Sequence, residues 1–278
     1  MEATSARRID TGTDELLCEL RDRVAVITLN RPQARNALSD QLSPALREMI
    51  RWCGDEAEVG AVLITGAGTA FCAGGDVKGM GSGSNPAKRD WSFEQRVADL
   101  QDRQRRLTGA LVALRKPSIA ALPGPAAGAG LSIALACDLR IAADSAKFTT
   151  AFSKIGLSGD FGGSWFLNHL VGAAKAREMY FTGQVISGAE GQRIGLVNRA
   201  VPAAQLADAA RAWAAELAAL PTVAVGYMKR NLNTGLRGSL SDVLDAEALH
   251  MIRTFETEDH KGAAVAFVEK RPPKFSGR

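Results

Sequence analysis

The chain is poor in the residues that build metal sites and disulfide frameworks. Its 278 residues include three histidines, His169, His250 and His260, whose number and spacing exclude an H-E-x-x-H site and a three-histidine site, so no metal is expected. The four cysteines, Cys18, Cys53, Cys72 and Cys137, contain no C-x-x-C pair, and a reducing compartment is the natural expectation. An excess of one charge is missing too. Lysine plus arginine number 34 against 30 acidic residues, a net +4, which suits a phosphate-bearing small molecule and falls short of a dedicated nucleic-acid binder. Residues 1–17 hold two arginines with no apolar run behind them, which reads as a frayed leader and not a secretory signal. Residues 117–137 are uncharged over a membrane-like length, but Pro117, Pro123, Pro125 and several glycines interrupt them. They read as a strand, a tight turn and a buried helix. The alanine- and arginine-rich composition points to a high-GC bacterium and hence a cytoplasmic protein.

What the chain does have is alternation. Val24–Leu29, Ala61–Thr65, Ser118–Leu122 and Asp138–Ala142 are short apolar runs ended by turn formers, the pattern of buried strands. Between them Ser39–Trp52 and Phe93–Leu114 read as helices, which predicts an α/β fold. After Pro202 the apolar residues recur only at helical spacing, with helices expected from Leu206, over Thr222–Leu232, Ser241–Thr254 and Asp259–Lys270. The division expected is an α/β core over 1–202 and a helical region over 203–278. Gly79–Pro86 reads as the most mobile loop.

Three glycine-rich stretches, 65–80, 123–143 and 152–167, stand at the ends of these elements. Glycine at a strand-to-helix turn lets backbone N–H groups approach a ligand closely, and two such turns facing one another suit a developing oxyanion. None of the three is a dinucleotide fingerprint, a phosphate loop or a G-x-S-x-G elbow.

Five segments in order, ITLNRPQARNAL (27–38), FCAGGDVKGM (71–80), the glycine-alanine turn entering ACDLRIAA (136–143), GLSGDFGGSWFL (156–167) and AFVEKRPPKF (266–275), resemble the enoyl-CoA hydratase/isomerase, or crotonase, family over nearly the whole chain. The resemblance implies a spiral of repeated ββα units, a C-terminal helical region that builds a homotrimer or a dimer of trimers, and an acyl-CoA thioester substrate. Coenzyme A would enter only as part of that substrate, with no separate cofactor. The implied oxyanion hole is the N–H of Gly75 and the N–H of Ala129. Matching the family's CoA-contacting loops nominates Gln33, Ala34, Arg35, Ala73 and Lys78, with Arg35 and Lys78 for the phosphates. Lys270 and Lys274 are weaker candidates for a neighbouring subunit's CoA, and Asp76 reads as a helix cap.

The sequence departs from the family at one point. The two glutamates that hold water in hydratases match Ser132 and Phe152, which are expected to line the substrate pocket and cannot serve as bases. Asp160 falls where isomerase and dehalogenase branches carry a catalytic carboxylate. The expected activity is therefore isomerisation of an acyl-CoA through a stabilised enolate, with Asp160 as acid and base. The GLxxDxGG context also resembles ring-opening isomerases of phenylacetate degradation. Water addition by an atypical arrangement is the alternative; a silent CoA- or RNA-binding member, suggested by Arg103, Arg105, Arg106, Arg115 and Lys116, comes third.

Overall fold

The computed structural model describes residues 6–76 and 90–278. Its main sheet has seven strands: β1 (Arg7–Ile9), β2 (Leu16–Arg21), β3 (Val24–Leu29), β4 (Ala61–Gly66), β5 (Ser118–Leu122), β7 (Leu139–Ala143) and β10 (Arg199–Val201), side by side in that order. The first three pair antiparallel and the remainder parallel. A smaller sheet joins β6 (Ala126–Ala127), β8 (Lys147–Thr149) and β9 (Ile186–Ser187), and Cys72 extends it by a bridge to Ala126.

The fold is a crotonase-type α/β spiral. β5, β6 and helix α3 (Ala129–Ala136) form one ββα unit; β7, β8 and helix α4 (Gly163–Thr182) form the next. Each unit sends one strand to each sheet before its helix. The expected core strands are all present, because parallel strands covered on both faces are near-continuous apolar runs. The stretch 117–137 is indeed strand, turn and buried helix, and no helix among the described residues is long and apolar enough to cross a membrane.

Three expectations need correction. The supposed leader contains β1 and the start of β2, whose Leu16, Cys18 and Leu20 point alternately into the core. Helix α2 (Phe93–Gln104) does continue to Ala113, but through a π turn over Arg105–Gly109. Finally, helix α6 (Leu206–Ala218) belongs with the core: Leu206, Ala210, Trp213, Ala214 and Ala218 are buried in the cluster beneath the sheet. The helical layer that stands apart begins only at α7 (Thr222–Gly235) and runs through α8 (Leu240–Phe255) and α9 (Glu258–Val268). A partly buried charge pair fastens α7 to the core: Lys229 Nζ donates to Asp138 Oδ2 at 2.8 Å and to the Leu111 carbonyl at 2.9 Å. Helix α1 (Leu42–Asp55) buries Leu42, Leu46, Met49, Ile50 and Cys53, and short helix α5 (Gly188–Arg193) precedes β10. Lys78 and the Gly79–Pro86 loop lie outside the described residues.

Candidate active site

The site begins with a buried amide. Asn36 Oδ1 accepts from the Arg31 N–H at 2.8 Å, while Nδ2 donates to the Ala67 and Ala70 carbonyls at 3.0 and 2.8 Å. This pins the loop 31–38 to the turn that follows β4. From the pinned loop two backbone bonds reach the Ala73–Gly75 turn: the Ala73 N–H donates to the Arg35 carbonyl (2.9 Å) and the Leu38 N–H to the Gly74 carbonyl (2.8 Å). On the other side the Ala127 N–H donates to the Cys72 carbonyl at 3.0 Å. That contact needs glycine. A Cβ on Gly130 would lie 2.3 Å from the Cys72 carbonyl oxygen, and one on Gly74, at φ +94°, 2.8 Å from that of Ala127.

The consequence is two backbone donors side by side. Ala129 is the first residue of α3, preceded by Gly128 with no side-chain cap, and the N–H groups of Gly75 and Ala129 have no protein acceptor among the described residues. Both residues line one cavity of about 410 Å³. Free N–H groups at a helix start, reinforced by the helix dipole, favour negative charge at that point.

Asp160 lines the same cavity. Its turn is held from two sides: the Phe161 N–H donates to Gln104 Oε1 at 2.7 Å, and Ser132 Oγ donates to the Asp160 carbonyl at 3.1 Å. The backbone here is strained, with Phe161 at φ +51° between Gly159 at +108° and Gly162 at +77°. Asp160 does not cap α4, whose N-cap is Gly162 with no side-chain bond. Its Oδ1 is buried without a hydrogen-bond partner among the described residues, and burial pushes the carboxyl up to about 6. Behind it, burial and then the Asp160 charge push the Tyr180 phenol up to about 12. A neutral tyrosine therefore backs the carboxylate across the working pH range.

The other expected residues fall as follows. Gln33 and Arg35 are exposed and Ala34 and Ala73 half-buried on adjoining turns, with Arg35 in the left-handed region at φ +50°. Ser132 and Phe152 do not line the cavity. They are 2% and 7% exposed and pack behind its lining: Ser132 holds the Asp160 turn, and Phe152 stacks on Tyr180 at 6.0 Å. Asp76 pairs with Arg31 at 3.4 Å. Lys270 and Lys274 are exposed. The basic cluster disperses: Arg103 pairs with Asp99 and Arg106 with Asp102, while Lys116 is buried and donates to the Glu56 carbonyl. Gln104, Tyr180 and the cavity-lining Arg47 were not foreseen; nothing in their local sequence separates them from ordinary helix residues.

Comparison with known proteins covers nearly the whole chain. The enoyl-CoA hydratase/isomerase family matches residues 19–278. A probable enoyl-CoA hydratase of Mycobacterium tuberculosis, echA8, is 39% identical over 95% of this chain and 99% of its own length. The 1,2-epoxyphenylacetyl-CoA isomerase of Escherichia coli is 34% identical over 95% and 98%. The crystal structure of an enoyl-CoA hydratase from Mycobacterium smegmatis superposes with a TM-score of 0.86 at 31% identity, covering 95% of this chain and 99% of that one. With the family model, the relatives and the solved structures all matching over nearly the whole length, the chain belongs to the enoyl-CoA hydratase/isomerase family of enzymes.

Proposed function

We propose that this enzyme isomerises an acyl-CoA thioester, with Asp160 moving the proton. The observation that carries the reading is one carboxyl, held near pH 6 by burial, lining the same cavity as two unpartnered backbone donors. The thioester carbonyl binds between the N–H groups of Gly75 and Ala129, which stabilise the enolate as charge develops on oxygen. Asp160 removes a proton from the acyl group and returns it two carbons away, so no water enters the product. Gln33, Ala34, Arg35 and Ala73 border the coenzyme A portion.

The positions matching the hydratase glutamates support this choice. Ser132 is buried and engaged with backbone carbonyls, and Phe152 has no acid or base function. Water addition is the second reading, favoured by the hydratase names of several relatives; the isomerase name of another extends the first reading to ring substrates. Mass spectrometry decides between them. Panels of 2-enoyl, 3-enoyl and arylacetyl-CoA thioesters are incubated in heavy-oxygen water and in deuterium oxide. Product isomeric with substrate, carrying deuterium and no solvent oxygen, supports isomerisation; product heavier by one labelled water overturns it.

The helical layer is proposed to assemble the enzyme as a homotrimer or a dimer of trimers. It leaves large apolar side chains uncovered, among them Leu232 (73% exposed), Leu240 (74%) and Phe267 (85%). Light scattering at micromolar concentration tests it, and a monomer would refute it.

A further inference from the structure

On the wall of the same cavity lies an arginine that makes no salt bridge among the described residues. Arg47 projects from α1, and its Nε is buried without a hydrogen-bond acceptor among the described residues. Three guanidinium groups influence one another here, those of Arg47, Arg103 and Arg106, and two carboxylates answer them. Asp99 pairs with Arg103 at 2.8 Å and Asp102 with Arg106 at 3.6 Å; both acids also act on Arg47, which of the three guanidinium groups is the one without an ion pair of its own among the described residues. Of the other acids on the cavity, Asp40 already has a partner, Asp76 is paired with Arg31, and Asp160 is the residue assigned to the chemistry. A partly buried guanidinium that keeps an unused donor is costly unless something supplies an acceptor. A hydrocarbon chain cannot do so.

We infer that the acyl group of the substrate ends in a carboxylate, and that Arg47 recognises it. The substrate class is then the CoA monothioester of an unsaturated dicarboxylic acid. Arg47 acts on binding and specificity, and the proton transfer stays with Asp160. The inference rests on the reading of this cavity as the acyl-thioester site.

The test uses ligands that cannot react, so it is independent of isomerisation. Affinities of hexanoyl-CoA and adipoyl-CoA, which differ by a terminal methyl against a terminal carboxylate, are measured by calorimetry on wild type, Arg47→Met, Arg47→Lys and Asp160→Asn. Adipoyl-CoA is expected to bind wild type about 10- to 100-fold more tightly, the range for hydrogen bonds to a charged group. Arg47→Met should erase the preference while leaving hexanoyl-CoA unaffected, Arg47→Lys should retain part of it, and Asp160→Asn should preserve it. Equal affinities in wild type overturn the inference even if no variant folds. An equal loss for both ligands in Arg47→Met also overturns it, because Arg47 would then serve the CoA phosphates. A failed isomerisation assay with the affinity ratio intact would instead fault the reading of Asp160.

Discussion

Helices α2 and α8 begin very differently from α3 and α4. At the surface, Ser92 and Gln95 close the start of α2 with reciprocal side-chain bonds, and Ser239 and Asp242 do the same for α8. At the site, α3 follows Gly128 (φ +50°) and α4 follows Gly162 (φ +77°), and neither has a side-chain cap. A cap satisfies N–H groups that would otherwise need water or a ligand. Leaving α3 uncapped, with all eight of its residues buried, keeps the Ala129 donor available, as the proposed oxyanion role requires. The start of α4 teaches a second point. A helix N-terminus favours a nearby carboxylate by about 0.3–1 kcal/mol, yet burial still pushes Asp160 up to about 6, so desolvation is the larger effect.

Breaking the uncapped sites should have the largest effects. Asp160→Asn is expected to lower turnover by about 10² to 10⁴, the range for a lost general acid or base, in steady-state assays of the isomerisation. In wild type, kcat/KM should rise with pH through about 6 and level off above it, as the carboxylate forms. Stability should move the opposite way. A carboxyl raised from 3.8 to about 6 keeps its proton in the folded state where the unfolded chain has lost it, so stability falls as pH rises across that window. The full difference is about 3 kcal/mol, and denaturant titrations of Asp160→Asn should show this fall removed. Gly130→Ala forces a Cβ to 2.3 Å from the Cys72 carbonyl and separates the two donors; a loss of about 10² to 10³ in kcat is expected, as for removal of one oxyanion donor.

Gln104→Leu frees the Phe161 N–H from its acceptor and lets the Asp160 turn shift. A loss of up to about 10² in kcat follows if the carboxylate is misplaced by about 1 Å, together with a displaced pH limb that a purely structural defect would not produce. The capped helices should show the smallest response. Ser239→Ala is expected to cost about 1 kcal/mol of stability in a denaturation curve and to leave kcat/KM unchanged, which would sharpen the contrast between the two kinds of helix start.

Strands β3, β4, β5 and β7 were readable because each is a run of buried apolar residues bounded by turns. β2 was harder, since Leu16, Cys18 and Leu20 alternate with more exposed residues inside a segment that reads as a leader. The division at Pro202 misplaced α6, because a helix that packs beneath a sheet and one that awaits a partner carry the same periodicity. Gly75, Ala129 and Asp160 were nominated through motif resemblance, and the fold brings all three to one cavity. Gln104 and Arg47 could not be nominated in that way. Gln104 acquires its meaning only when folding sets it against Phe161, 57 residues away, and Arg47 only when α1 closes one wall of the cavity.

The three bonds of the Asn36 amide fix the turns around the Gly75 and Ala129 donors through main-chain atoms, whereas Arg47 and Arg103 face the cavity as side chains of helices. Evolution can therefore exchange the second set one residue at a time without disturbing the first. What the cavity recognises can then change while the main chain that frames it stays in place.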